Sequence, residues 1–383
     1  MKIAIKAKYF NFKILNSCIK INIKRADEFI LFFLIFSSPI GFRFLPFGLV
    51  HITFIVGVIY LLVRIYFTRS LIVFDKVQFY FFLYVIYFVV DQILVNGSFK
   101  HALNLLISYL YFFLIVNIGI YIDRNRIICL FNKAISYLLL FFLVEVIYRY
   151  LHPGGGDFLH KFKENSLFFM DSNFVGLDLI LLYFLLILIR NKRSGIYRKA
   201  VFIFNIFSLS RASIISSIFW KFIFKKIKNP NQVFKYAIIA IVLLVIFVIY
   251  FYDTLMTFDA SLRSKFIFAE EAFNFIQAIP TEKILLWYGA NSSIELFGHF
   301  LHNYVLVYVI DQGIIGLLLI FLFHYVLAKQ TNGMWLIVFL PYLMAAMSVV
   351  SYASHVVYMA AGLVYLLFVN KNKIKFIVYK KGY

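Results

Sequence analysis

The sequence predicts an all-α polytopic membrane protein with about twelve transmembrane helices. Three observations predict it. The chain of 383 residues is 63% hydrophobic and only 14% charged, where a soluble domain carries about 25% charged residues. Apolar runs of about 18 residues or more recur from end to end, each long enough to cross a bilayer as a helix. Cationic side chains collect between these runs, and alternate gaps hold most of them. Inside lipid every backbone group must find its partner within the protein, which leaves helices or a closed barrel. The short alternating segments of a barrel are absent from the sequence.

In chain order, a basic amino-terminal segment (1–28) precedes spans at roughly 29–46, 48–66, 77–95, 101–121 and 127–149. An outer loop follows, about 150–172, with Pro153-Gly154-Gly155-Gly156. Further spans read at roughly 173–190, 199–210, 211–227 and 233–251, of which 199–210 is short. A second outer loop covers about 252–301. Spans at roughly 302–327, 333–350 and 355–370 complete a single transmembrane domain, and a basic tail (371–383) closes the chain.

With the amino terminus in the cytoplasm, the cytoplasmic segments hold 29 of the 38 Lys and Arg residues. That is the excess expected of loops left inside. It places both termini in the cytoplasm and both long loops on the far side. The net charge of +21 is thereby orientation and attraction to anionic lipid, not a nucleic-acid footprint. No cleavable leader is evident, because the first apolar run lacks a small-x-small cleavage site. Cys18 and Cys129 both fall on the cytoplasmic side, and neither has metal-ligand spacing.

Polar chemistry collects on the far side. Residues 261–278, ended by Pro280, read as an amphipathic helix whose apolar face is Phe266, Ala269, Phe273 and Ile276. Arg263 sits in its first turn, where a cation opposes the helix dipole; it is either solvated or held there by an anion. Arg211, in Ser208-Leu209-Ser210-Arg211, lies at the outer end of a span, against the charge bias. It is either an interfacial arginine that snorkels or an anion clamp, since guanidinium binds phosphate in a fork and keeps its charge when desolvated. Asn173 opens a span after Asp171-Ser172, in the manner of a helix cap. Glu145 and Arg149 stand one turn apart and can pair. His299 and His302-Asn303 stand at the mouth of a helix. Asp311 follows His302 by nine residues, about 13 Å deeper on an ideal helix, where an ionisable group is a functional candidate. His324 and His355 read as core or interface histidines. The sequence has no Asp-x-Asp, no His-x-x-x-His and no phosphate-cradling glycine loop, so metal-dependent sugar-nucleotide chemistry is not supported. Nor does it have the Gly-x-Ser-x-Gly of a serine-hydrolase elbow.

Four stretches, taken in order, resemble the O-antigen polymerase and O-antigen ligase superfamily of bacterial envelope proteins. They are Phe169-Met170-Asp171-Ser172-Asn173; Ser208-Leu209-Ser210-Arg211; Ser261-Leu262-Arg263 with its helix; and His302-Asn303-Tyr304 running into Asp311-Gln312-Gly313-Ile314-Ile315-Gly316. The matches cover about the C-terminal half of the spans. The resemblance implies a GT-C-like helical fold with two periplasmic loops. It implies a glycan on undecaprenyl diphosphate as substrate, used without metal or other cofactor, with membrane lipid and a chain-length regulator protein as further partners and no nucleic acid. Arg211 and Arg263 match the family's diphosphate-binding arginines, and His302 its catalytic histidine. Asn173, Ser210, His299, Asn303 and Asp311 would support them. One departure is Gly289-Ala290-Asn291, where the family often carries Gly-x-Gly. The modest second loop favours a polymerase over a ligase that would pass glycan to lipid A core. A lipid-linked oligosaccharide flippase is the rival from another class; it would need charged residues along a central path and no amphipathic outer helix.

Overall fold

The computed structural model describes residues 23–41, 48–68, 72–95, 99–155, 161–162, 165–169, 172–189, 191–226, 260–280, 288–290, 292–299, 301–348, 354–369 and 376–377. It also describes Leu285 and isolated positions between 232 and 257. Among the described residues the secondary structure is helical apart from one two-stranded ladder. In order its elements are α1 (23–37), α2 (Leu49–Thr68), β1 (Ile72–Val73), α3 (Lys76–Val95), α4 (Phe99–Gly119), α5 (Arg124–Leu151), α6 (Ser172–Leu188), α7 (Lys192–Phe207), α8 (Arg211–Lys226), α9 (Ala260–Ala278), α10 (Ser292–Phe297), α11 (Tyr304–Gln330), α12 (Met334–Ala346), α13 (His355–Phe368) and β2 (Phe376–Ile377). Among the described residues, α2, α3, α4, α5 and α11 are each long and apolar enough to cross a membrane, and α6, α12 and α13 are shorter apolar helices. The positions described between 232 and 250, where a span is expected, are helical as well. The basic segment 1–22 and most of the tail 371–383 lie outside the described residues.

The helix ends sort into two groups. At one end, β1 pairs antiparallel with β2, matching Ile72 to Ile377 and Val73 to Phe376. Lys24 pairs with Asp123 at 3.0 Å and Arg126 with Glu28 at 2.7 Å. The Arg124 guanidinium lies over the Phe368 ring, and Tyr365 donates to Asp75. These contacts gather the starts of α1, α3 and α5 and the ends of α2, α4 and α13 into what we call the clasp end. At the opposite, loop end, Glu145 accepts the backbone N–H of Leu167 and Phe168, and the Gly41 N–H reaches the Phe168 carbonyl. Successive spans therefore run in alternating directions, as the distribution of basic residues requires.

Small residues set the helix spacing in the interior. A Cβ on Gly362 would stand 2.5 Å from Ile115, and one on Gly119 would stand 2.3 Å from Leu366. α13 and α4 thus lie backbone to backbone, the close approach that small residues permit in membranes. One buried charge pair lies at the clasp end. Arg64 donates to Asp27 at 2.8 Å with both side chains almost wholly covered, and Tyr60 donates to the same carboxylate. Burial pushes the Asp27 carboxyl above its ordinary range, against the pull of Arg64. Arg64→Ala should destabilise the protein by about 3–5 kcal/mol, because it strands a buried carboxylate. Thermal unfolding of the purified protein in detergent measures this, and an unchanged midpoint would refute it.

The expected Glu145–Arg149 pair forms, at 2.7 Å with both side chains buried. His324 is a core histidine: it accepts the Trp335 indole N–H at 3.2 Å and stacks on Phe339.

Candidate functional site at the loop end

α6, α7 and α8 meet at the loop end through glycine and serine. Asn205 of α7 donates to Ser217 and accepts from Ser213, both on α8. The turn between the two helices, Ser208-Leu209-Ser210, holds Leu209 at φ 56°. Gly176 of α6 closes this corner: a Cβ there would lie 2.6 Å from both Ser210 Cβ and Ser213 Oγ. Ser172 and Asn173 are one turn above Gly176 on the same helix, so they sit beside the start of α8, where Arg211 emerges exposed. The hydroxyls of Ser172 and Ser210 are fully buried, and neither has a hydrogen-bond partner among the described residues. Gly176→Val should cost about 1–3 kcal/mol by overpacking and should displace Arg211. A variant with a wild-type melting midpoint would show that the corner is loose.

The second group forms around α9. The helix exists as the sequence predicts, but the stripe packed here is rotated and shares Ile276 with the expected face. Phe268, Ala272 and Ile276 cover Leu301, Val307 and Ile310, whereas Phe273, expected on the buried side, is exposed. α9 is apolar over more than half its circumference, and contact with α11 decides which stripe is covered. Phe268 stacks on His299 at 3.7 Å between ring centroids and stands 6.3 Å from His302. Glu271 Oε2 lies 3.4 Å from His299 Nε2, an ion-pair distance when the ring is protonated but without hydrogen-bond alignment. His302 is half-buried with φ 49°, a left-handed conformation that costs a non-glycine residue roughly 1–2 kcal/mol. Asn303 next to it is the N-cap of α11: its side chain accepts the N–H of Val305 and Leu306. That is a structural role for a residue expected to support the site. Arg263, exposed in the first turn of α9, lies about one and a half turns before Phe268.

The two groups are linked through α12. Ser216 of α8 donates to the Pro341 carbonyl of α12, and Lys265 of α9 donates to Ser348 just past the end of α12, at 2.6 Å. Arg211 and Asn173 belong to one group, Arg263, His299 and His302 to the other.

Asp311 lies deeper, and the loop comes down to meet it. α11 is interrupted at Gly313, whose φ 67° and ψ 174° are open to glycine alone. The carbonyls freed by the break are taken up locally: Tyr87 donates to the Gln312 carbonyl and the Tyr288 N–H to the Ile310 carbonyl. The Ser293 N–H reaches the buried Asp311 carboxylate at 2.8 Å. The Ala290 N–H reaches Gln92, which in turn donates to the buried Asp91. Gly289 supplies the positive φ, 104°, that turns the chain into this descent. Gly289-Ala290 thus keeps a glycine where the backbone needs one. Asp311 is a buried anchor for residues 288–293.

Sequence reasoning did not single out Ser172, Lys265, Phe268, Glu271, Asp91 or Gln92. Asp91-Gln92 had a signal, an ionisable carboxyl beside an amide inside an apolar span. Glu271 and Lys265 had none, since their roles depend on which face of α9 is covered. Among the described residues no three His, Cys, Asp or Glu side chains converge as a metal's ligands would. Compared with protein-family models and with curated proteins, the chain matches none.

Proposed function

We propose that this protein is a glycosyltransferase of the bacterial inner membrane, a GT-C-like bundle of about twelve spans with its loop end in the periplasm. It polymerises undecaprenyl-diphosphate-linked oligosaccharide repeat units into O-antigen or capsular polysaccharide. The acceptor sugar hydroxyl attacks the anomeric carbon of the donor glycan. The bond from that carbon to the diphosphate oxygen breaks, and undecaprenyl diphosphate leaves with the electron pair. His302 takes the hydroxyl proton, work that suits an imidazole near neutral pH. Arg211 and Arg263 meet the charge that grows on the departing diphosphate.

One observation carries this proposal. Among the described residues the buried hydroxyls of Ser172 and Ser210 have no protein partner, and Ser210 immediately precedes Arg211. A buried donor left unsatisfied costs about 1–3 kcal/mol, and a phosphate oxygen would satisfy both hydroxyls while pairing with the guanidinium. The aromatic and imidazole cluster of Phe268, His299 and His302 supports it further, as a surface on which a sugar could rest beside a base.

The test is reconstitution in liposomes with the lipid-linked repeat unit as the sole substrate. Lengthened lipid-linked glycan together with released undecaprenyl diphosphate is the expected result. Transfer only after lipid A core is added would make the protein a ligase. Movement of the unaltered lipid between leaflets would make it a flippase. Orientation is tested separately: with the native cysteines replaced, Gly155→Cys, at an exposed position, should react with an impermeant maleimide in intact cells and Asn229→Cys only after lysis. The reverse pattern would overturn the topology.

A further inference from the structure

The molecule has a second polar cavity, far from the loop end. It lies at the clasp end between the first turns of α5 and the start of α7, with a volume of about 360 Å³, within the roughly 300–1,000 Å³ of small-ligand sites. Its polar lining includes Asn125, Asn132, Lys133, Ser136, Asn191, Arg193 and Tyr197. Two cations thus face amides and hydroxyls, and among the described residues no carboxylate lines it. The neighbouring acids Asp123 and Glu28 are occupied by Lys24 and Arg126.

A second observation points to a ligand. Asn132 is 6% exposed, and its Oδ1 has no hydrogen-bond partner. An anion alone would leave this acceptor unsatisfied. A group carrying both a phosphate and a hydroxyl would satisfy the cations and the amide oxygen together. The surface beyond the cavity says what kind of molecule bears that group. Along α5, the positions that follow Lys133 and Ser136 at helical spacing are Tyr137, Leu140, Val144 and Ile147, and all four are exposed. Lys133 Nζ itself lies over the ring of Phe32. A polar, cationic cavity that opens onto an exposed apolar stripe fits a lipid better than a soluble metabolite. Basic cavities between helices on the cytoplasmic side are where anionic headgroups bind.

We propose that the cavity between α5 and α7 binds the glycerol-phosphate headgroup of an anionic lipid, with the acyl chains laid along the exposed stripe of α5. The site rests on the membrane character of the chain and not on glycosyl transfer, so it stands or falls apart from the proposed function.

Cys129 lines the same cavity and reports on its occupancy. With Cys18→Ser, it is the sole thiol. Delipidated protein in neutral detergent is titrated with short-chain phosphatidylglycerol, and alkylation of Cys129 by N-ethylmaleimide is timed. Saturable protection is expected with phosphatidylglycerol and not with phosphatidylcholine of the same chain length. Each of Lys133→Gln and Arg193→Gln should raise the half-saturating concentration about fivefold, the contribution of one cation at an anionic surface. Protection equal with both lipids would overturn the proposal, as would protection unchanged in the Lys133→Gln/Arg193→Gln double variant. Equal protection by soluble glycerol 3-phosphate would reassign the cavity to a soluble ligand. The comparison of the two lipids needs no cavity variant, so a double variant that fails to fold does not remove the test.

Discussion

Arg211→Ala should lower glycosyl transfer by about 10²–10³-fold, the usual loss when one fixed group that stabilises developing charge is removed. Arg263→Ala should do the same. Neither change threatens the fold. Both side chains are exposed, and alanine at position 263 removes a cation from the first turn of α9, where it is unfavourable by about 0.3–1 kcal/mol. Stability should therefore be unchanged or slightly higher while activity collapses. Lysine at either position keeps the charge but loses the planar fork that grips two phosphate oxygens, so it should recover little. The measurement is product length with purified donor lipid, beside a melting curve for each variant. If both lysine variants made normal polymer, charge alone would suffice and the bidentate clamp would be wrong.

His302→Asn should abolish transfer to a comparable or greater degree, about 10²–10⁴-fold, the range for loss of a general base. Asparagine is the better substitution, because it tolerates the left-handed backbone found at φ 49° and isolates the loss of the imidazole from any change in the chain path. His302→Ala tests the same base with the strain left in place. Both variants should still bind donor lipid. His299→Ala should be milder in chemistry but costlier in stability, since it removes the ring stacked on Phe268 and facing Glu271. A dead His299 variant beside an active His302 variant would move the base to His299.

Much of this architecture is legible in the sequence because lipid imposes a plain rule. An apolar run long enough to cross becomes a helix, and basic residues mark alternate ends. The pairing of Ile72–Val73 with Phe376–Ile377, and of Lys24 with Asp123, agrees with that alternation. The candidate site was legible only as residue types: Arg211 stands out at a span end against the charge bias, Arg263 in a helix's first turn against the dipole, and His302 through the resemblance. What stayed hidden depends on conformation and contact. Gly313 reads as an ordinary packing glycine beside Gly316, and only its φ shows that α11 is broken there. The buried stripe of α9 could not be read from an apolar arc wider than the face it covers. Ser172 and Ser210 look like capping and turn serines until their hydroxyls are found buried without partners. Asn303, which looks like a companion of the base, turns out to start a helix.

The break at Gly313 divides one span into two levers. The upper piece, 304–312, follows directly on His302 and Asn303 and carries Asp311 near its foot, tied to the loop by the N–H groups of Tyr288 and Ser293. The lower piece, 314–330, runs on into the turn before α12. A tilt of the upper piece is absorbed at a single joint, and the ladder and ion pairs at the far end do not feel it. The loop that descends to Asp311 thus travels with the upper piece, and with His302 at its head, instead of being left behind.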